Sequence, residues 1–408
     1  MAIDLITGTK PARSYAGPLA LAISCFLIWG LAYGLLDVLN KHFQDTLHVS
    51  KAGSSWLQIA YFGAYLMWSI PAGIMLQARG FKFGIVAGLT ITAAGAFLFV
   101  PSAQLSSFPY FVLSMFVLAS GLCVLETAAD TYVSVLGAPE DAPKRLNLAQ
   151  SFNALGVFCG PIIGGSLFFN PAVARALGGA QQSVQVTYLI IGIAVLGFAF
   201  FVTRSWVPEV QVETHGSDTA SGPAKPLLAQ RHFVFGFITQ FIYVGAQVGV
   251  YAFFLNQATE TWHGMTTQSA AYLFSAGVLA YLVGRFATTV LILKVSPRLV
   301  LTIYGLACVA FCLIAAAGID KISALALIPV FFFMGTMFPT IFTLGIADLG
   351  ANTKRASSIM VMAIGGGLLL PYPMGLIGDH YGMPAAFLLP AAGFLLVAWY
   401  GWRGSRIR

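Results

Sequence analysis

Charge is what this chain has least of. Asp, Glu, Lys and Arg together make up 9% of its 408 residues, while hydrophobic residues make up 58% and mean hydropathy is +0.83. A soluble domain carries about 25% charged residues, so the composition excludes one. A membrane β-barrel is excluded as well, because the apolar runs are continuous rather than alternating. The net charge is +7, but the basic residues sit in short loops, often as pairs, and form no basic tract. They read as topology signal, and nucleic acid is not a partner. Cysteine is sparse: Cys25, Cys123, Cys159, Cys308 and Cys312 all lie in apolar runs. They are expected as small core thiols without a disulfide framework. The six histidines are expected in loops or at helix ends, which leaves no histidine proton relay and no metal-ligand cluster. No nucleophile–base pair or nucleotide loop points to an enzyme. The first apolar run is too long for a signal peptide and ends without a small-residue cleavage site, so none is expected to be removed.

Long apolar runs are plentiful. A membrane-crossing helix needs about 20 of them in succession. Twelve spans follow, at 18–39, 54–77, 83–101, 108–135, 147–169, 186–204, 232–256, 268–293, 299–317, 322–347, 356–377 and 383–402. The stretch 207–230 is the one long polar connector and is expected to be a cytoplasmic linker. It separates a six-helix bundle at 1–206 from a second at 231–408. Of the 21 lysines and arginines, Lys41, Lys51, Arg175 and Lys321 fall in loops on one side and Arg285 lies within a span. The other sixteen fall on the opposite side, which is therefore expected to be cytoplasmic, with both termini there. The halves repeat weakly: Arg145, Gly156 and Pro161 recur as Arg355, Gly366 and Pro371 at a constant offset of 210 residues. A parallel repeat of two six-helix bundles is the architecture of major facilitator transporters, whose sites lie between the halves near mid-membrane. The expected fold is thus all-α, integral to the membrane, with two pseudo-symmetric bundles.

Polar groups inside the spans are few, and each is a candidate. Asp37 lies in LALAISCFLIWGLAYGLLDVLN and Glu126 in FVLSMFVLASGLCVLETAAD. A carboxylate at mid-membrane costs about 2.5–3.5 kcal/mol on insertion scales, so two of them suggest a protonatable, water-filled path. Asp130, Arg285, Gln58, Gln150, Asn153, Gln247 and Asn256 complete the set. Glu126 and Asp130 are four apart on one helix, and Gln150 and Asn153 three apart on the next, so each pair shares a face. A carboxylate accepts from two sugar hydroxyls, and an amide donates and accepts as a hydroxyl does. Trp29, Tyr33, Trp56, Tyr61, Tyr65 and Tyr251 could stack on the apolar face of a pyranose. Each assignment has a structural rival. An acid can pair with a base, Asp130 can join a charge cluster with Lys144 or Arg145, and Arg285 can pin a helix. Gln58 and Gln247 can be packing hydrogen bonds. Tyrosines and tryptophans near helix ends can be interfacial anchors, as expected for Trp399 and Trp402.

The segments LETAADTYVSVLG and RLNLAQSFNALG resemble the fucose–galactose–glucose:proton symporter family within the major facilitator superfamily. GLLDVLNKHF, QIAYFGAYLMWSIPAG, YVGAQVGVYAFF, FPTIFTLGIADLG and TKRASSIMVMAIGGG extend the likeness over nearly the whole chain. The resemblance implies a sugar/proton symporter with acids in helices one and four, which are Asp37 and Glu126 here. It implies sugar-binding amides at Gln150 and Asn153, with Gln247 and Gln58 as further polar contacts. The chain departs from a fucose-carrying member at three points. Asp130-Thr131 stands where that member has Asn-Pro, Gly34 where it has asparagine, and Phe338 where it has tyrosine before Pro-Thr-Ile-Phe.

The expected activity is cation-coupled import of a hexose or deoxyhexose by rocking of the two bundles. The protein is expected as a monomer in a bacterial inner membrane, in a lipid bilayer and with no cofactor beyond a co-transported proton. Asp37, toward the outer end of helix one, is expected to load the proton, and Glu126, deeper in, to bind hydroxyls and hold or relay a proton. Asp130 and Arg285 are assigned to cation handling or gating. Two rivals share the acids: a sodium-coupled sugar symporter, and a proton antiporter exporting lipophilic cations.

Overall fold

A computed structural model describes residues 15–137, 141–208, 226–349 and 352–406. Among these the chain is helical throughout, and eleven continuous stretches are long and apolar enough to cross a membrane. One of them, Lys51–Leu105, is two helices joined at Gly80. Gly80 adopts φ +82°, a left-handed conformation that only glycine enters without a Cβ penalty. The spans are therefore twelve: α1 (Ala16–Leu47), α2 (56–79), α3 (81–105), α4 (Phe108–Val135), α5 (Ala142–Phe168), α6 (Ala180–Arg204), α7 (Arg231–Thr261), α8 (Thr267–Leu291), α9 (Pro297–Ala316), α10 (Asp320–Gly345), α11 (Ile359–Tyr381) and α12 (Met383–Gly404).

Several helices outrun the spans read from hydropathy. α1 continues eight residues past 39, and α7 five past 256. Hydropathy windows find the part of a helix that suits lipid, while the extra turns here carry amides that bond to protein. Asn40 Nδ2 donates to Ala252 O at 2.9 Å and Asn256 Nδ2 to Gln44 Oε1 at 2.6 Å, tying α1 to α7. The longer α1 also relocates His42, which is not at a loop but buried inside the helix, against Phe43, Phe168 and Phe169. His232 is buried too and bonds Ala347 O at 2.9 Å. All five cysteines are free thiols, and all but Cys159 are buried. Of the connector at 207–230, residues 209–225 lie outside those described; Leu227–Ala229 forms a 3-10 turn leading into α7.

Glycine sets how closely the helices of each half approach. A Cβ on Gly156 of α5 would fall 2.6 Å from Leu27 O and Leu31 N of α1. A Cβ on Gly366 of α11 would collide with Phe241 O of α7. Leu31 and Phe241 are also 210 residues apart, so the repeat is one packing device used twice. Pro161 and Pro371 share the offset but not the outcome. Pro161 sits inside unbroken α5, whereas Pro371 follows the 3-10 segment Ala363–Leu368 and restarts the helix. Proline removes one helical hydrogen bond and crowds the carbonyl four residues back, and the run Gly365–Gly366–Gly367 lets the backbone of α11 tighten there. Gly366→Val is expected to cost about 1–3 kcal/mol by overpacking. The check is thermal melting of the detergent-solubilised protein, with Gly197→Ala, where a Cβ meets nothing within 4 Å, as the control that does not lower it.

Candidate functional site

Among the described residues, the bonds between the two halves gather at one end. At the end away from most lysines and arginines, Lys51 Nζ pairs with Glu260 Oε1 at 2.8 Å and donates to Gly378 O at 2.9 Å. The backbone N–H groups of Lys51 and Ala52 donate to the two carboxylate oxygens of Asp379 at 2.9 and 3.0 Å. Glu260 Oε2 accepts from Met383 N at 3.0 Å, and Ser55 Oγ donates to Pro371 O at 3.0 Å. The antiparallel α5–α8 seam is closed there as well, with Ser275 Oγ donating to Phe158 O at 3.1 Å and Ser166 Oγ 2.8 Å from Tyr272 OH. Carboxylates that accept backbone N–H groups form charge-assisted bonds, among the stronger hydrogen bonds.

Toward the basic end the halves enclose a cavity of about 500 Å³, within the range of small-molecule sites. α1, α2, α4 and α5 line one wall and α7, α8, α10 and α11 the other. Of the residues singled out from sequence, Glu126, Asp130, Gln150, Asn153, Gln247, Arg285 and Phe338 line it. The aromatic set divides. Trp29, Tyr33, Tyr61, Tyr65 and Tyr251 line the cavity, whereas Trp56 is 49% exposed at the start of α2 and takes no part.

Asp37 and Gln58 are not on the cavity wall. Both are buried, with Gln58 Nε2 donating to Asp37 Oδ1 at 3.2 Å. Gln58 Oε1, the acceptor end of the same amide, is buried without a donor. Among the described residues Asp37 has no ion pair. Glu126 lies at the end of a chain of polar groups along the wall. Trp29 Nε1 donates to Tyr61 OH at 3.3 Å, Tyr61 OH is 3.4 Å from Tyr65 OH, and Tyr65 OH reaches the Glu126 carboxylate. Glu126 Oε2 has no partner. Asp130, one turn further, accepts from Gln150 Nε2 at 3.4 Å. The cluster weighed for Asp130 takes other bonds: Lys144 pairs with Asp141 at 2.8 Å, and Arg145 donates to Val133 O and Ser134 O, each at 3.1 Å. Asn153 Nδ2 donates to Phe26 O at 3.3 Å. Asn256 belongs to the closed end, on Gln44, and not to the cavity.

Two polar cavity residues escaped the sequence reading. Asn147 extends the face of Gln150 and Asn153 by one more step of three, and Tyr281 stands one turn from Arg285. Both follow from helical spacing once Gln150 and Arg285 are placed on a pore wall. The result is an aromatic-lined chamber with two carboxylates, three amides on one wall and a fourth opposite, and one guanidinium. One face of Tyr251 is stacked on Phe331 (centroids 4.6 Å, planes 10° apart), which fixes its orientation. Such a lining offers hydroxyl partners and flat apolar surfaces together.

Residues 21–370 match the Major Facilitator Superfamily. The chain is 35% identical to the L-fucose-proton symporter of Escherichia coli over 97% of its own length and 94% of that protein. It is 33% identical to the glucose/galactose transporter of Brucella abortus biovar 1, covering 98% of this chain and 97% of that one. The crystal structure of the transporter FucP in the outward conformation superposes with a TM-score of 0.67 at 35% identity, covering 97% of this chain and all of that one.

Proposed function

We propose that this chain imports a monosaccharide together with a proton, and the premise is its family: the chain belongs to the major facilitator superfamily, in the branch of the L-fucose and glucose/galactose transporters. The basic end is cytoplasmic, as the positive-inside rule requires, so the conformation described here is closed outside and open inside. The protein acts as a monomer in a bacterial inner membrane.

The observation that carries the reading is the pairing of a sugar-type chamber with a sealed acid beside it. Glu126, Gln150, Asn153 and Gln247 are the sugar's polar contacts, and the cavity aromatics its stacking surfaces. Asp37 is the coupling acid. Burying a lone ionised carboxylate is costly unless it is paired or protonated, and Asp37 has an amide, not a base, as its hydrogen-bond partner. A protonated Asp37 donates its O–H to the orphan acceptor Gln58 Oε1 while its other oxygen accepts from Gln58 Nε2, giving a two-bond acid–amide pair. That arrangement suits a proton better than sodium, because the neighbour Asp37 is bonded to presents an N–H donor and a metal cation needs several oxygen ligands. With the outer end open, Asp37 exchanges its proton with the outside. Once it is neutral, closure buries no charge at Asp37. Glu126, on the chamber wall with one buried carboxylate oxygen unpartnered, accepts sugar hydroxyls and releases them when the inner end is open. Phe338 contributes an apolar surface where fucose-carrying members place a tyrosine.

The test is uptake of a panel of hexoses and deoxyhexoses into cells or proteoliposomes, with and without a protonophore and with sodium removed. At least one neutral sugar is expected to accumulate, with accumulation lost to the protonophore and indifferent to sodium. Accumulation that survives the protonophore, or that requires sodium, contradicts proton coupling. Export of hydrophobic cations with no sugar flux contradicts the substrate class.

A further inference from the structure

Asp130 and Arg285 face the same chamber from opposite halves, and neither has an ion-pair partner among the described residues. They stand at matching depth. Asp130 is five residues from the inner end of α4 and Arg285 six from the inner end of α8, about 7.5 and about 9 Å at 1.5 Å per residue. Alternating access, on which this inference rests, requires the inner end to close as the outer end opens, and closure removes both side chains from water. Two unpaired charges would oppose it, whereas a pair formed with good hydrogen-bond geometry offsets the desolvation.

The α5–α8 seam shows how they would meet. At its closed outer half, Ser275 bonds to Phe158 and a Cβ on Gly165 would touch Ala271. Continued inward in the same antiparallel register, α8 reaches Arg285 ten residues past Ser275, and α5 reaches Gln150 eight residues before Phe158. These are about 15 and about 12 Å along the two helices, a difference the long arginine side chain spans. Gln150 already holds Asp130 by its amide. Zipping the seam inward thus delivers the guanidinium to the Asp130–Gln150 pair.

We propose that Asp130 and Arg285 form an ion pair across the α5–α8 seam when the inner end closes, with Gln150 beside it, so that the outward-open state of this chain is held by an inner latch. It is the counterpart of the outer latch made by Lys51, Glu260 and Asp379. The latch stabilises one conformation; it shares Gln150 with the sugar's contacts and leaves the coupling acid untouched.

Two cysteine reporters test it. Ser55→Cys lies in the closed outer contact and is fully buried, so it reacts from outside only when that end opens. Val361→Cys lines the cavity and is exposed, so it reacts from inside when the inner end is open. Maleimide labelling of each is followed on its own peptide by mass spectrometry, which leaves the native cysteines in place. The ratio of the outer rate to the inner rate is expected to fall about tenfold in Asp130→Asn and in Arg285→Gln. It should return to within threefold of the parent in the swap Asp130→Arg with Arg285→Asp, or, if the swap fails to reach the membrane, in Arg285→Lys. An unchanged ratio in the single variants, or a fall rescued by neither the swap nor Arg285→Lys, overturns the latch. The sugar reading fails separately, when the parent shows no sugar counterflow and neither reporter responds to sugar.

Discussion

Asp37→Asn is expected to abolish uphill sugar accumulation while leaving sugar counterflow. One charge moving inward with each sugar gains about 2.3 kcal/mol per 100 mV, which at about 1.4 kcal/mol per decade supports roughly 50-fold accumulation. The asparagine variant should fall to an accumulation ratio near one. The reason is local. Asp37 is buried and bonded to Gln58, away from the chamber lining, so replacing it with a neutral near-isostere leaves the sugar contacts and the interbundle contacts in place. The carrier should then cycle without needing a proton. The measurement is radiolabelled sugar in proteoliposomes under an imposed pH gradient and potential, with counterflow at zero gradient alongside. Full accumulation by Asp37→Asn removes that residue from coupling, and loss of counterflow as well assigns it to structure or sugar binding.

Glu126→Ala is expected to weaken sugar binding by about 10- to 150-fold, the equivalent of about 1.5–3 kcal/mol for hydrogen bonds to a charged group. The carboxylate stands on the chamber wall at the end of the Trp29–Tyr61–Tyr65 chain, and its buried Oε2 has no partner, so the group has acceptor capacity to spare. Glu126→Gln keeps the shape and one acceptor and should lose less. Equilibrium sugar binding to purified protein decides the matter. Unchanged affinity in the alanine variant contradicts the role given to Glu126.

Most of the fold was legible in the sequence because the bilayer reduces folding to a length count. About 20 apolar residues make a span, and lysines and arginines mark one side. The misreadings have the same origin. Hydropathy ends α1 at 39 and α7 at 256, since Asn40, His42 and Gln44 in the one and Gln257, Thr259 and Glu260 in the other look like loop residues to a hydropathy window. They sit on helix because the two bundles bond to each other there, Asn40 to Ala252 O and Asn256 to Gln44 Oε1, while His42 packs among phenylalanines. The chamber was legible through its rare polar groups, and Glu126, Asp130, Gln150, Asn153, Gln247 and Arg285 all line it. Trp56 was wrongly included because composition alone cannot tell a pore-facing aromatic from one on the outside. That Asp37 and Gln58 form a buried pair apart from the chamber was not legible either. Position along a helix gives depth, but only packing against α2 decides whether a side chain meets water or a neighbour.

The claim everything else depends on is that sugar entry carries a proton through the buried acid. Sugar added to gradient-free proteoliposomes in weak buffer should make the outside medium alkaline as protons follow sugar inward. The signal should be abolished by Asp37→Asn and should persist without sodium. Sugar flux of normal rate with no change in external pH, or an equal alkaline signal in Asp37→Asn, would contradict it.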